Sequence, residues 1–455
     1  MSQPCSGTEA AVLCGGDSRR LGFAKEMLRV DGAPLAVQMV RRLEPLFDRV
    51  AVVTGRPDYL APWPEVTVIE DEFPGDGPLA GVHAALKALQ ADRCLFLPVD
   101  MPFVHNDLLD RLCRGAEEGR ADVVMGAPGG RWEPMPAVFR RRMAPRLEGL
   151  LEDGDGPPVR AALDDADVRR LELQERLARC YRDIDSPEDV ERLKEVFEDV
   201  EPLPVRWVEL DDGRADTVAE ERPVTLYGNG LKLATVLCLP RALRQVAAGV
   251  AAYLGLIEER SELHRMEVDY RGRRVRMELD ATDEDIRRSA QVLVTSTCGA
   301  TIYGGGRSPH AEGRTEGGFT IAGRRLTDGL RKLRAMAPVF DSTGATHQAA
   351  CIGAGGSVRY FAEGVGRHSA VDRLVGAAVL DDTPLARTAL LSTGRISSEM
   401  VVKTARAGMP LAASRSAATS NAVDLAAKHG VTLVGFARGD RMNVYTGGER
   451  VKRDE

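Results

Sequence analysis

Between Ala10 and Phe139 short apolar runs alternate with stretches of helical spacing, and this alternation constrains the fold more than any other feature of the chain. Ala10 to Leu13 reads as a strand entering a glycine-rich turn. Leu35 to Leu46 reads as a helix, Val50 to Thr54 and Val66 to Ile69 as strands, Leu79 to Leu89 as a helix, and Cys94 to Val99 as a fully apolar strand. Val123 to Met125 and Ala137 to Phe139 continue the series. Strands separated by helices of this size predict an α/β fold with a parallel, doubly wound, Rossmann-like sheet. Ligands of such a sheet sit outside the carboxyl ends of its strands.

The pattern lapses near residues 197–220, FEDVEPLPVRWVELDDGRADTVAEERP, an acidic stretch with two prolines close together. The chain has 455 residues, about three times the usual length of one domain. A first domain over 1–197, a linker over 198–219 and a second domain over 220–455 are therefore expected. In the second, Leu243 to Leu256 reads as a helix, glycine clusters punctuate 299–306 and 344–366, Ala422 to His429 reads as a helix, and Thr432 to Phe436 as a strand. A net charge of −7 offers no electrostatic footprint for nucleic acid. No apolar run reaches the roughly 18 residues of a membrane span. The first residues lack the charged n-region and long apolar core of a signal peptide. The expectation is a cytoplasmic protein without nucleic-acid or membrane partners. The eight cysteines are scattered and none stands in C-x-x-C spacing, which removes common zinc and dithiol patterns.

The segment Leu13-Cys14-Gly15-Gly16-Asp17-Ser18-Arg19-Arg20-Leu21-Gly22-Phe23-Ala24-Lys25 follows the first strand. Its glycines let backbone N–H groups approach a phosphate, and Arg19, Arg20 and Lys25 bring mobile positive charge for a triphosphate. It is neither a P-loop nor the dinucleotide G-x-G-x-x-G. Asp100, in Pro98-Val99-Asp100-Met101-Pro102-Phe103, is a carboxylate at the tip of a buried strand, placed to hold Mg²⁺ or, more blandly, to cap a turn. The acidic loop Glu70 to Gly81, which includes Asp71, could accept hydrogen bonds from a base or ribose, or be solvated.

In order and spacing these residues resemble the molybdenum cofactor guanylyltransferases (MobA). The patterns are L-x-G-G-x-S-x-R-[ML]-G-x-x-K, then D-x-x-x-x-x-G-P-L-A-G, then P-x-D-M-P-F. Trp132-Glu133-Pro134-Met135 and Asp183-Ile184-Asp185-Ser186-Pro187-Glu188-Asp189 are similar to later signatures of that family, with aspartates where asparagines are usual. The resemblance covers residues 9 to 197. It implies transfer of GMP from GTP to the terminal phosphate of molybdopterin, with release of pyrophosphate. It also implies that Leu13, Cys14, Gly15 and Gly16 line the nucleotide, Lys25 holds the phosphates, Asp71 contacts the guanosine part and Asp100 binds Mg²⁺. The thiol of Cys14 itself reads as packing.

In the other half, Cys298 follows the strand Gln291 to Thr295 and precedes Gly304-Gly305-Gly306-Arg307, so its thiol is placed either for exposure or for simple burial. Cys238 and Cys351 read as packing. Further on stand Val339 to His347, Gly364-Val365-Gly366-Arg367-His368, Thr393-Gly394-Arg395-Ile396-Ser397-Ser398-Glu399-Met400 and Phe436-Ala437-Arg438-Gly439-Asp440-Arg441-Met442-Asn443. In these segments an Arg or His repeatedly sits beside Gly, Ser or Thr at a turn, a pattern suited to a large anionic ligand.

From about 220 to 450 these motifs resemble the FdhD family, the sulfur-carrier accessory proteins of formate dehydrogenases. That resemblance implies a fold similar to the cytidine-deaminase type. It implies a persulfide on Cys298, received from a cysteine desulfurase and passed to the molybdenum centre of formate dehydrogenase. Phe436, Ala437, Arg438, Gly439, Asp440 and Arg441 fall on the stretch expected to contact the molybdopterin guanine dinucleotide cofactor. Many members have C-x-x-C where this chain has Cys298-Gly299-Ala300-Thr301, so one thiolate must both accept and donate the sulfur. A zinc-hydrolase reading needs H-x-E and P-C-x-x-C. His310-Ala311-Glu312 supplies the first, but the only Pro-Cys pair is Pro4-Cys5.

The expected whole is a bifunctional fusion acting at consecutive steps of molybdenum cofactor maturation, with a homodimer through the C-terminal domain. The alternatives are a cytidylyltransferase in the first half and a non-catalytic cofactor-binding chaperone in the second.

Overall fold

In a computed structural model the chain divides into two units, Met1–Val200 and Glu201–Glu455. The structure describes residues 5, 7–15, 21–73, 77–131, 133–153, 157–178, 180–212, 214–290, 318–439 and 441–452.

In the first unit β1 (Thr8–Leu13) is buried along its whole length, as a strand covered on both faces must be. There follow α1 (Leu35–Leu43), β2 (Val50–Thr54), β3 (Thr67–Glu70), α2 (Pro78–Ala88), β4 (Arg93–Pro98), α3 (Asn106–Glu118), β5 (Val123–Pro128), β6 (Ala137–Arg140), α4 (Ala144–Asp153) and β7 (Val168–Leu173). The strands form one sheet in the order β3-β2-β1-β4-β6-β5-β7. Ala11 and Leu13 point into a core shared with α2 and α4, where Phe96 and Phe139 meet edge to face at 5.5 Å. Alternation along β1 sends Ala10 and Val12 to the opposite face.

The expected parallel sheet holds with one correction: β6 runs antiparallel to both β4 and β5, and the other ladders are parallel. Only residues 129–136 separate β5 from β6, too few for the dozen or so a parallel crossover needs.

The stretch 198–219, expected as a linker, carries an antiparallel hairpin of β8 (Val205–Glu209) and β9 (Ala215–Ala219) within the second unit. Val205 and Thr217 are buried, so the acidic composition masks an ordered ribbon with inward-facing positions.

The rest of the second unit contains two mixed sheets. β10 (Arg222–Gly228), β11 (Leu231–Cys238), β12 (Leu263–Asp269) and β13 (Arg274–Leu279) form a four-stranded sheet with α5 (Leu243–Tyr253) packed on it. Then come α6 (Gly323–Lys332), β14 (His347–Gly353), β15 (Val358–Gly364), α7 (Arg367–Leu380), β16 (Thr388–Ser392), α8 (Ser398–Arg406), β17 (Leu411–Ser414), α9 (Ser420–His429), β18 (Thr432–Arg438) and β19 (Arg441–Thr446). Their strands form a six-stranded sheet, β15-β14-β16-β17-β18-β19, parallel across β16, β17 and β18 and antiparallel elsewhere. One face is covered by α7, α8 and α9, the other by α6. No described helix is long and apolar enough to cross a membrane.

Candidate functional site

In the first unit the candidate residues gather at the carboxyl edge of the sheet. The tip of β1 is fixed by its neighbours: Val99 N–H donates to the Leu13 carbonyl (3.0 Å) and Cys14 N–H to the Val53 carbonyl (2.9 Å). Gly15 follows with φ +149°, a conformation strained for any L side chain, and open space lies where its Cβ would be. Asp71 stands just beyond β3 on the same edge and accepts the Phe73 N–H (2.9 Å), so its carboxylate shapes the loop. The side chains of Leu13 and Cys14 are buried, and burial pushes the Cys14 thiol well up, which leaves backbone as what this turn offers a ligand.

Lys25 opens a single 3₁₀ turn, and its ammonium is held between two carboxylates. Nζ lies 2.9 Å from Asp100 Oδ2 and 2.7 Å from Asp185 Oδ1. Burial alone would lower the Lys25 pKa, but the hydrogen bonds to Asp185 and Asp100 outweigh it and hold the group above its ordinary value. Ile184 N–H donates to the Asp100 carbonyl (2.9 Å), which draws the 183–185 segment alongside β4. Asp189 is spent on a capping box: it accepts the Ser186 hydroxyl (2.7 Å) and the Ser186 N–H (3.0 Å) at the start of the Pro187–Arg192 helix. Asp183 is pushed up to about 6 by burial and by repulsion from Asp100 and Asp185. Asp185 was readable only as a departure from a motif. Its partner lies 160 positions away in sequence.

In the second unit the four Arg- and His-bearing motifs also converge, at the carboxyl edge of β16, β17 and β18. His347 begins β14, which runs opposite to β16, so it stands near Thr393 (Nδ1 to Oγ1 3.5 Å). Gly394 N–H donates to Ser392 Oγ (3.2 Å), and Ser414 Oγ donates to the Gly394 carbonyl (2.6 Å). Phe436 N–H donates to the Ser416 carbonyl (3.0 Å), and Arg438 Nε to the Arg415 carbonyl (2.9 Å). At the start of α7, His368 Nε2 lies 3.3 Å from Ser397 Oγ and 3.5 Å from Glu399. The edge thereby collects Arg367, Arg395, Arg415 and Arg438, with Ala437 buried beneath them and Gly439 and Arg441 at the turn into β19. The segment Ser414-Arg415-Ser416 was missed by the motif reading, although it too follows a strand as Ser-Arg-Ser.

The electrostatics match this grouping. Burial lowers the His347 pKa, and Arg367 adds to it. Burial, then Lys403, Arg367 and His347, bring His368 down to about 3. Phe436 has φ +51° and is 44% exposed, an aromatic ring presented from strained backbone beside the arginines.

Gly16, Arg19, Arg20, Trp132, Cys298, the 304–307 loop, His310, Glu312 and Asp440 lie outside the described residues. The seven described cysteines are all buried free thiols, and Cys351 packs its sulfur against Met409 (3.5 Å). Among the described residues no trio of His, Cys, Asp or Glu is arranged to hold a metal unaided.

Two families match separate parts of the chain. Residues 10–168 match the MobA-like NTP transferase domain, and residues 219–452 match the FdhD/NarQ family. The sulfur carrier protein FdhD of Streptomyces coelicolor is 38% identical over 257 residues, covering 52% of this chain and 90% of its own. That of Wolinella succinogenes is 34% identical over 242 residues, covering 52% and 82%. Among solved structures, molybdopterin-guanine dinucleotide biosynthesis protein A of Archaeoglobus fulgidus is 25% identical with a TM-score of 0.37, covering 41% of this chain and 97% of its own.

Proposed function

The chain belongs to the FdhD/NarQ family and carries a MobA-like NTP transferase domain ahead of that region, and from this premise we propose that it acts at two consecutive steps on one cofactor. The first unit transfers GMP from GTP to the terminal phosphate of molybdopterin. The second binds the resulting guanine dinucleotide cofactor and sulfurates it for formate dehydrogenase.

For the first step the reacting groups are both on the substrates. An oxygen of the molybdopterin phosphate attacks the α-phosphorus of GTP, the bond to the β-phosphate oxygen breaks, and pyrophosphate leaves. No protein nucleophile is required; the chain supplies position and charge. The backbone of Leu13, Cys14, Gly15 and Gly16 lines the nucleotide, Asp71 contacts the guanosine part, and Lys25 neutralises phosphate charge. Asp100 and Asp185, two hard oxygen donors already sharing one cation, would hold Mg²⁺. Bound there, Mg²⁺ supplies further neutralisation of the triphosphate.

The observation that carries this reading is Lys25 held at the carboxyl edge beside Asp100. The test is incubation with molybdopterin and each NTP in turn, following pyrophosphate release. GTP is expected to be preferred; preference for CTP overturns the guanylyl assignment.

For the second step the proposed donor is a cysteine desulfurase persulfide. The Cys298 thiolate attacks its outer sulfur and the desulfurase thiolate leaves; a molybdenum centre in its reduced +4 state then takes that sulfur, supplying the two electrons that make it sulfide and rising to +6, while the Cys298 thiolate leaves. The arginine edge from Arg367 to Arg438, with Phe436 to Arg441, is the proposed seat of the cofactor, in a domain of the cytidine-deaminase type that also forms the homodimer. Cys298→Ala is expected to keep the cofactor bound and to abolish activation of formate dehydrogenase. Unchanged activation would make the unit a chaperone without sulfur transfer.

A further inference from the structure

The ammonium of Lys25 donates to Asp100 and to Asp185 at once, at 2.9 and 2.7 Å. An ammonium has three donors and no acceptor. Two of them are therefore already directed to carboxylates before any nucleotide arrives. Asp183, exposed at the surface, stands close enough to feel both of those carboxylates. Two carboxylates thus hold one ammonium at the point where a triphosphate has to approach. A polyanion that is to reach the Lys25 ammonium alone has to displace Asp185 from a charge-assisted hydrogen bond.

On the reading of this site given above, we infer that Asp185 makes nucleotide binding depend on prior or simultaneous capture of a divalent cation. The cation takes over the two carboxylates, and only then is Lys25 released to the phosphates. Asp185 is a positioning residue in this scheme, since it acts through Lys25. An asparagine at the same position still offers Lys25 an oxygen of the same reach, without the charge. It would hold the side chain in place but would neither repel phosphate nor compete strongly for the ammonium.

The test compares GTP affinity of the full-length chain by calorimetry, in Mg²⁺ and in EDTA, for the wild type and for Asp185→Asn, Asp183→Asn and Lys25→Ala. Lys25→Ala reports any GTP bound elsewhere on the chain. Asp185 is 49% exposed, so its replacement leaves the core intact. In EDTA, Asp185→Asn is expected to bind GTP roughly tenfold more tightly than the wild type, about 1.4 kcal/mol, while in Mg²⁺ the two differ little. Asp183→Asn, which makes no hydrogen bond to Lys25, is expected to shift the EDTA affinity less. Equal dependence on Mg²⁺ in the wild type and Asp185→Asn overturns the inference. So does an effect of Asp183→Asn as large as that of Asp185→Asn, because a general field and not the Lys25 contact would then be responsible. If the wild type binds no more GTP in Mg²⁺ than Lys25→Ala does, the nucleotide site itself is misassigned and the coupling falls with it.

Discussion

Gly249 and Gly376 meet backbone to backbone where α5 crosses α7. A Cβ on Gly249 would lie 1.8 Å from the Asp372 carbonyl oxygen, and one on Gly376 1.8 Å from that of Gln245 and 2.6 Å from the Gly249 nitrogen. This contact ties the four-stranded sheet, on which α5 lies, to the helix that begins with Arg367 and His368 at the cationic edge.

Alanine inside a helix ordinarily gains about 0.5–1 kcal/mol over glycine. At this crossing the sign reverses, because the extra methyl has to push two helices apart. Gly376→Ala is expected to cost about 1–3 kcal/mol or more, the usual price of overpacking, read as a lower urea midpoint for the second unit. A gain in stability would show that the helices do not approach so closely.

Beside that crossing, Lys403 and Asp372 form a buried ion pair, with side chains 2% and 4% exposed. Lys403 Nζ also lies 4.1 Å above the Tyr253 ring and 3.7 Å from Glu399. Burial raises the Asp372 pKa, and Lys403 opposes that rise. Lys403→Met leaves the carboxylate buried with no partner of this kind and is expected to cost about 3–5 kcal/mol. Adding Asp372→Asn should recover much of the loss, because the uncompensated charge is then gone. A single-variant cost below about 1 kcal/mol, read by denaturant unfolding, would place the pair in contact with water.

What could be read from the sequence was whatever is local. Leu13 at the end of an apolar strand before glycines, Asp100 at the end of another, and Arg367 to His368 after Gly366 each announce themselves within a dozen residues. The Ser186-Pro187-Glu188-Asp189 cap is equally local, although the capping role of Asp189 emerged only in the structure. Contacts made across the chain stayed hidden. Nothing near Asp185 says that it reaches Lys25, and nothing near Gly376 says that Gly249 lies against it. The reversed strand Ala137–Arg140 differs from its neighbours only in the brevity of the connection before it. The 205–219 hairpin was obscured by its acidic residues, which are exposed on its strands and in its turn.

Substitutions at the nucleotide edge should separate positioning from binding. Lys25→Ala removes charge directed at the phosphates and is expected both to weaken GTP binding and to lower kcat for guanylyl transfer by about 10²-fold, the scale for loss of one preorganised donor. Asp71→Ala, proposed to touch only the guanosine part, should instead raise KM for GTP with kcat nearly unchanged. Pyrophosphate release under saturating molybdopterin distinguishes the two. Equal effects on kcat would place Asp71 among the groups that act on the phosphates.

The depressed pKa of His368 makes stability of the second unit depend on pH in a known direction. Burial, then Lys403, Arg367 and His347, bring this imidazole down to about 3, while Ser397 and Glu399 also face the ring at 3.3 and 3.5 Å. In the unfolded chain the same group titrates near its ordinary value of about 6.5. Between those two values the unfolded state binds a proton that the folded state refuses, so the stability this residue permits is whole above about pH 6.5 and is lost as pH falls toward 3. The buried carboxylates Asp372 and Glu399, raised chiefly by burial, slope the other way, which is why the difference between variants is the informative quantity. Unfolding free energies at pH 5.0 and 7.5 should fall more steeply with acid in the wild type than in His368→Gln, by about 1–2 kcal/mol over that interval. Parallel slopes would mean that His368 takes up its proton in the folded state as it does in the unfolded one, so that neither its burial nor the neighbouring cations exclude the charge.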